Sequence, residues 1–149
     1  MQIEYREANC ADASGIYNVE TQCFSSPWSL DSIIDDLCDN ALARYVVAVE
    51  GERIVGFCGL HEILDEGHIT NAAVLPSFRR RGVGKKLIEA LFSFTENTID
   101  RYTLEVRAGN RAAISLYKRL GFKTLGVRKA YYADNGEDAH IMWRSQASK

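Results

Sequence analysis

The chain has 149 residues, a length that suits one domain (1–149) and buries roughly 68–70% of the unfolded surface without disulfide or metal staples. Hydrophobic residues make up 46% and charged residues 26%, which excludes an intrinsically disordered chain. The formal net charge of −2 argues against a protein that binds nucleic acid or anionic lipid through its overall charge. No apolar run approaches the ~18 residues of a membrane span, and no secretory signal is predicted.

The first half of the chain predicts a strand, two helices and a three-stranded meander. Residues 2–6 alternate apolar and polar side chains, and residues 10–23 carry apolar side chains at helical spacing. After a Ser-Ser-Pro-Trp break, Ser29 can cap a second helix. Three strands are predicted over 43–50, 53–64 and 68–75, the last two joined by a turn at 65–67. Because the turns between them are short, the strands must pair antiparallel.

The second half predicts two longer helices and three strands. A helix begins at about Val83, and a second one has Asn110 as its N-cap and Gly121 as its stop. The remaining elements are a strand at 101–108, the second helix at 110–120, and strands at 122–132 and 139–144. The order βααβββαβαββ predicts an α/β (α+β) fold, with one mixed, mostly antiparallel sheet flanked by helices.

The four cysteines, Cys10, Cys23, Cys38 and Cys58, form no Cys-x-x-Cys pair and suggest neither a zinc site nor a disulfide framework. They are interpreted as buried or free thiols of a protein in the reducing cytoplasm. The three histidines lie on separate predicted strands without metal-ligand spacing, so no metal is predicted.

The densest group of basic residues stands at the start of a helix, in the sequence RRRGVGKK at 79–86. The first N–H groups of a helix have no intrahelical partner and carry partial positive charge. Glycines let that backbone approach a ligand closely, and the guanidinium and ammonium groups add attraction for a phosphate or diphosphate.

The segment has three other possible interpretations. An arginine triplet alone favours a solvated, positively charged turn. A nucleotide P-loop would need glycine at Arg79 and Ser or Thr at Lys86. A dinucleotide-binding fingerprint would need a third glycine and a parallel βαβ unit, and neither is present.

The hexapeptide Arg79-Arg80-Arg81-Gly82-Val83-Gly84, between a strand and a helix, resembles the R-x-x-G-x-G loop of the GNAT N-acetyltransferases. The predicted order of elements is that of the same family. The segments 24–29, 71–88, 104–122 and 131–142 are similar to its ribosomal-protein-alanine N-acetyltransferase branch. The resemblance implies transfer of acetyl from acetyl-CoA to the α-amino group of a small-subunit ribosomal protein. It implies neither nucleic-acid nor membrane binding.

The resemblance also implies which residues hold acetyl-CoA. The diphosphate would lie on the basic loop, the pantetheine would pair with the main chain of the preceding strand, and the motif N-x-x-A-x-x-x-Y would contact the rest. The residues concerned are Ala72, Ala73, Val74, Arg79, Arg80, Arg81, Gly82, Val83, Gly84, Lys85, Asn110, Ala113 and Tyr117.

Acetyl transfer to an amine involves two proton transfers. An α-amino group with a pKa near 8 is only about one-tenth neutral at pH 7, so a general base helps the attack. Glu105 is the candidate base, because Leu104 and Val106 point one way along the strand and Glu105 the other. Tyr117 occupies the family's position for the acid that protonates the departing thiolate. Taken without the resemblance, Glu105 is a solvent-facing glutamate and Tyr117 a packing residue.

The remaining candidates are weaker. Trp28, Tyr131 and Tyr132 are candidates for the acceptor groove, with ordinary packing as the alternative. Cys58 as an acyl-accepting nucleophile is disfavoured, since it lies in an apolar strand with no histidine partner. Two other functions stay open: acetylation of a lysine, polyamine or other small amine, and a non-enzymatic anion or RNA binder.

Overall fold

Seven strands form one mixed sheet in the computed structural model, which describes residues 2–145. The strands are β1 (Glu4–Glu7), β2 (Ala43–Glu50), β3 (Arg53–Ile63), β4 (Glu66–Val74), β5 (Arg101–Arg107), β6 (Lys123–Arg128) and β7 (Ala139–Ser145). The helices are α1 (Ala13–Cys23), α2 (Leu30–Ile34), α3 (Val83–Thr95) and α4 (Arg111–Arg119). The strands lie in the order β1-β2-β3-β4-β5-β7-β6, and every neighbouring pair is antiparallel except β4 and β5.

The predicted order of elements and the mixed, helix-flanked sheet are confirmed, and the differences lie at element ends. The turn between β3 and β4 comes earlier than predicted, at 64–65, and Leu64 takes a left-handed conformation there (φ 56°). Strand β6 ends at Arg128 rather than at residue 132. Helix α2 continues as a π-helical turn, Asp35–Asp39, before the chain enters β2.

The hydrophobic core lies where helices α1 and α3 pack on the centre of the sheet. Gly15 of α1 lies against the Ile54 side chain, so close that an added Cβ would overlap it. Leu87 of α3 lies over Gly56, where an added Cβ would come within 3.0 Å. Glycine therefore allows close packing at both helix contacts. Within residues 2–145, no helix combines the length and apolar character needed to cross a bilayer.

The prediction of free thiols is wrong for one pair of cysteines. A disulfide joins Cys10 and Cys38, whose Cα atoms are 5.3 Å apart, whereas Cys23 and Cys58 are free. Cys10 begins the turn before α1 and Cys38 lies in the π-helical turn after α2, so the packing of these helices brings them together. No sequence spacing marks such a long-range pair. Because disulfides are rare in a reducing cytoplasm, cysteine usage no longer supports a cytoplasmic location.

The parallel contact between β4 and β5 is short and positions the site. Only three residue pairs join the two strands: Glu66 with Arg101, Gly67 with Tyr102, and His68 with Thr103. Beyond His68 the two strands separate, and β4 continues to pair with β3 alone. The sheet therefore opens into a fork at the end that carries both the basic loop and Glu105.

Candidate active site

The basic loop enters α3 through a glycine in a left-handed conformation. Gly82 is the N-cap of α3, with φ 78° and ψ 12°. The first helical hydrogen bond runs from Lys86 N to Gly82 O (3.0 Å), so the N–H groups of residues 83–85 precede the helical ladder. With the positive end of the helix dipole, these N–H groups form a seat suited to an anion.

The basic side chains of this loop do not all point the same way. Arg79 turns back onto β4: its Nε donates to Val74 O (2.9 Å) and its Nη2 to Cys23 Sγ (3.5 Å). Arg81 lies over the Phe78 ring, 5.3 Å from its centroid. Arg80 and Lys85 take part in no ion pair with any of residues 2–145, whose structure is described. These two cations are thus available to an anionic ligand.

Replacing Gly82 with alanine is expected to weaken this seat. A non-glycine residue in a left-handed backbone conformation costs about 1–2 kcal/mol. Gly82→Ala should therefore lower the free energy of unfolding by about 1 kcal/mol or more, and it should weaken coenzyme A binding. Gly126→Ala in β6 is the matched control, since Gly126 lies outside that conformation and has no atom within 4 Å of an added Cβ. Urea unfolding and calorimetry with coenzyme A measure both effects. Equal effects of the two substitutions would contradict the assignment.

The main chain of β4 at the fork fits the predicted pantetheine contact. Ala72, Ala73 and Val74 pair with β3 on one side and have no ladder partner in β5 on the other. Val74 O nevertheless accepts hydrogen bonds from Arg79 and from the Cys23 thiol (3.4 Å). Because Leu75 N donates to Val55 O (2.8 Å), the main-chain groups of Ala73 face β3, and those that point to the open side of β4 belong to Ala72 and Val74.

Glu105 lies on β5 as its sequence pattern predicts. Leu104 and Val106 are buried, while the Glu105 side chain is 38% exposed. Its Oε2 lies 3.4 Å from Arg128 Nε of β6, two strands away across the sheet. Burial raises the pKa of Tyr132; the charge of Arg107 opposes that shift and the charge of Glu105 adds to it. The Glu105 carboxylate is thus partly exposed on this face of β5, with Arg128 as its cationic neighbour.

Asn110 and Ala113 begin α4, and Tyr117 lies two turns along it. The Asn110 Oδ1 accepts from Ala113 N (3.2 Å), so the predicted N-cap is formed. Tyr117 packs edge-on against Phe122, with ring centroids 5.6 Å apart. Burial, and then the charge of an ionised Cys58, raise the pKa of Tyr117 above its usual value, so the phenol keeps its proton at neutral pH.

Cys58 itself is fully buried in β3. Burial raises the pKa of its thiol to about 12, so it carries its proton near pH 7. Because the thiolate is the reactive form, this side chain is unsuited to be a nucleophile.

An open cleft of about 460 Å³ lies beside the fork, between the α1–α2 loop and the β6–β7 loop. Its lining residues are Glu20, Cys23, Phe24, Ser25, Ser26, Trp28, Asn71, Arg107, Asp134, Asn135 and Glu137. Of the predicted acceptor residues, Trp28 lines this cleft. Tyr131 and Tyr132 lie next to it on the β6–β7 loop, with their rings perpendicular to one another.

None of the four charged residues of this cleft was predicted from the sequence; Glu20 and Arg107 lie on regular elements, and Asp134 and Glu137 lie on the β6–β7 loop. Glu20 is 1% exposed: its Oε2 accepts from Trp28 N (3.1 Å), and its Oε1 accepts from the Asn71 side chain. Arg107 contacts several residues of the β6–β7 loop. The sequence held a signal for the two residues on regular elements, because Glu20 interrupts the apolar face of α1, and Arg107 lies on the same face of β5 as Glu105.

None of the described residues form a group of three or more His, Cys, Asp or Glu side chains that could share a metal ion. The histidines have separate partners. His61 Nε2 lies 2.7 Å from Asp36, His68 Nε2 lies 3.1 Å from Glu66, and His140 contacts Thr124.

The fold, the glycine-rich seat and the forked sheet together define an acyl-CoA-dependent transferase. Residues 13–122 match the Acetyltransferase (GNAT) family, and the chain belongs to that family. It is an acetyl-CoA-dependent N-acetyltransferase.

The chain is similar to several named acetyltransferases. A Bacillus subtilis protein provisionally named a ribosomal protein bS18-alanine N-acetyltransferase is 38% identical over 139 residues, covering 93% of this chain and 92% of that protein. The Salmonella typhimurium protein of that name is 36% identical over 134 residues, covering 88% and 89%. The Escherichia coli ribosomal-protein-S18-alanine N-acetyltransferase structure superposes with a TM-score of 0.89 at 29% identity, covering 97% and 94%. Arabidopsis thaliana NAA60 bound to acetyl-CoA shares the fold, with a TM-score of 0.87 at 19% identity and coverage of 98% and 99%.

Proposed function

We propose that this enzyme acetylates the N-terminal α-amino group of a protein, namely a ribosomal protein that begins with alanine. The cytoplasm is proposed as its location because the acceptor is ribosomal, and not because of cysteine usage. The observation that carries the proposal is the open cleft beside the forked end of β5. Glu105 does not line this cleft, but Arg107 does and lies two residues further on the same face of β5, so the end of an extended peptide in the cleft would lie near Glu105. The names of the Bacillus and Salmonella relatives support the acceptor.

The residues at the fork fit acetyl-CoA. The N–H groups of residues 83–85 and the side chains of Arg80 and Lys85 would hold the diphosphate, and the open edge of β4 between Ala72 and Val74 would pair with the pantetheine. When bound there, the carrier supplies an acetyl group activated as a thioester. Asn110 and Ala113 belong to the same site, at the start of α4.

The two proposed proton transfers are assigned to Glu105 on β5 and Tyr117 on α4. The Glu105 carboxylate removes a proton from the acceptor ammonium, directly or through water, and makes the amine nucleophilic. Tyr117 gives its phenolic proton to the departing sulfur, a role for which its raised pKa keeps it protonated. The cleft lining, including Trp28, and the nearby Tyr131 and Tyr132 would position the acceptor.

The acceptor is tested with a panel of amines. Synthetic peptides that begin with alanine, including N-terminal segments of small-subunit ribosomal proteins, should gain one acetyl group at the α-amine after incubation with acetyl-CoA. Mass spectrometry with fragment analysis locates that group, and release of coenzyme A gives the rate. The same peptides with a blocked N-terminus and an internal lysine serve as controls. Faster turnover of lysine side chains, spermidine or another small amine would overturn the N-terminal assignment.

A further inference from the structure

Arg107 of β5 contacts the β6–β7 loop through both terminal nitrogens and the flat face of its guanidinium group. Its Nη1 and Nη2 donate to Oδ1 and Oδ2 of Asp134, at 3.1 and 3.0 Å, a bidentate pair. Nη1 also reaches Asn135 Oδ1 and Glu137 Oε1, both at 3.4 Å. The guanidinium carbon lies 3.9 Å from the centroid of the Tyr132 ring. One side chain thus holds four residues of a single loop.

Glu137 connects the β6–β7 loop to the residue that precedes the N-cap of α4. Its Oε2 accepts from the main-chain N–H of Gly109 (2.7 Å), the residue before the N-cap Asn110. A Cβ on Gly109 would lie 2.6 Å from that same oxygen, so only glycine lets the carboxylate come so close. The Gly109 N–H, together with Asn135 and Arg107, holds the pKa of Glu137 below its usual value. This carboxylate therefore stays ionised and paired at neutral pH.

The loop also has its own main-chain bonds, from Tyr132 N to Glu137 O (3.1 Å) and from Gly136 N to Tyr132 O (2.8 Å). These bonds close the loop upon itself but do not tie it to β5. At the end of the loop, Ala108 N donates to Asp138 O (2.9 Å), whereas residues 132–137 are tied to β5 and to the start of α4 through the side chains of Arg107, Asp134, Asn135 and Glu137. Isolated surface ion pairs contribute little, whereas a bidentate pair within a network, stacked on an aromatic ring, fixes geometry.

We propose that the cluster of Arg107, Asp134 and Glu137, here called the Arg107 clamp, is a positioning device that sets acceptor affinity by holding the β6–β7 wall of the cleft beside Glu105. All three residues line the cleft. Arg107 lies two residues after Glu105 on the same face of β5, so the clamp fixes the wall relative to the base. The inference rests on the proposed function, and it adds residues to which neither the sequence motif nor the chemistry assigns a role.

The test replaces the guanidinium group of Arg107 but keeps its positive charge. In Arg107→Lys, the bidentate pair and the flat stack on Tyr132 are lost, so the loop should loosen. We expect the KM for an alanine-initiated peptide to rise about tenfold, kcat to change less than about threefold, and the dissociation constant of acetyl-CoA to stay unchanged. Hydrogen–deuterium exchange over residues 132–137 should become faster.

Arg101→Lys is the matched control, because Arg101 lies on the same strand and pairs with Glu66 (3.0 Å), away from the cleft. The double variant Asp134→Asn with Glu137→Gln removes the clamp from the loop side and covers the case in which Arg107→Lys folds poorly. It should raise the peptide KM as Arg107→Lys does, and adding Arg107→Lys to it should have little further effect.

A peptide KM that stays at the wild-type value in these variants overturns the proposal, and so does unchanged loop exchange. Fully additive effects of the two sets of substitutions would do the same. A wild-type enzyme that binds acetyl-CoA but acetylates no peptide would overturn the proposed function instead. Hydrogen–deuterium exchange over residues 132–137 would then be the measurement that decides whether the clamp holds the loop.

Discussion

Glu105→Gln should lower kcat for peptide acetylation by about 10²–10⁴, while the dissociation constant of acetyl-CoA stays the same. The amide has nearly the shape of the carboxylate but cannot accept the proton of the acceptor ammonium. Below a pH of about 8, the variant should depend on the small neutral fraction of the amine, so its rate should rise nearly tenfold per pH unit. Steady-state rates between pH 6 and 9 measure both effects.

The control must separate loss of the base from loss of an ion pair, since Glu105 also lies 3.4 Å from Arg128. Glu62→Gln offers that match, because Glu62 is a strand glutamate whose carboxylate lies 3.3 Å from Arg44. It should leave kcat unchanged. If Glu105→Gln retained wild-type turnover with the same pH profile, Glu105 could not be the base.

Tyr117→Phe is expected to reduce kcat by about 10², toward the lower end of the range for general acids, because a thiolate can also leave unassisted. Burial raises the pKa of Tyr117, so the wild-type acid keeps its proton throughout the range from pH 7 to pH 9. Wild-type kcat should therefore show no alkaline decline from this group over that range. Rapid-quench measurement of a single turnover isolates the chemical step.

Tyr17→Phe on α1 removes the same hydroxyl group from a partly buried tyrosine outside the site and controls for general effects on folding. It should match the wild-type rate. A Tyr117→Phe enzyme with unchanged single-turnover rate would assign the tyrosine to packing against Phe122 alone.

Elements whose signals are local could be predicted from the sequence. Helix α3 begins at Val83 as expected, because the glycine-rich segment before it and the apolar spacing within it are both properties of adjacent residues. The caps Ser29 and Asn110 form as predicted for the same reason. Glu105 could be placed on the exposed face of β5 because strand alternation alone decides it.

Features that depend on distant contacts could not be predicted. The pairing of Cys10 with Cys38 follows from how α1 and α2 pack, and sequence spacing contains no record of that. The inward turn of Arg79 onto Val74 O likewise depends on where β4 ends relative to the loop. The Arg107 clamp spans about 30 residues of sequence, and a single arginine in a strand carries no mark of its partners.

The forked sheet has a mechanical consequence. The ladder that joins β1–β4 to β5–β7 is three residue pairs long, so the two halves meet over less than half the length of either strand. A ligand that contacted both β4 and β5 at the fork would tie the halves together. At a hundred times its dissociation constant, such a ligand adds about 2.7 kcal/mol of stability. Binding of such a donor would thus make the end of the sheet beside the acceptor cleft more rigid before the acceptor binds. This favours an ordered reaction in which the donor binds first.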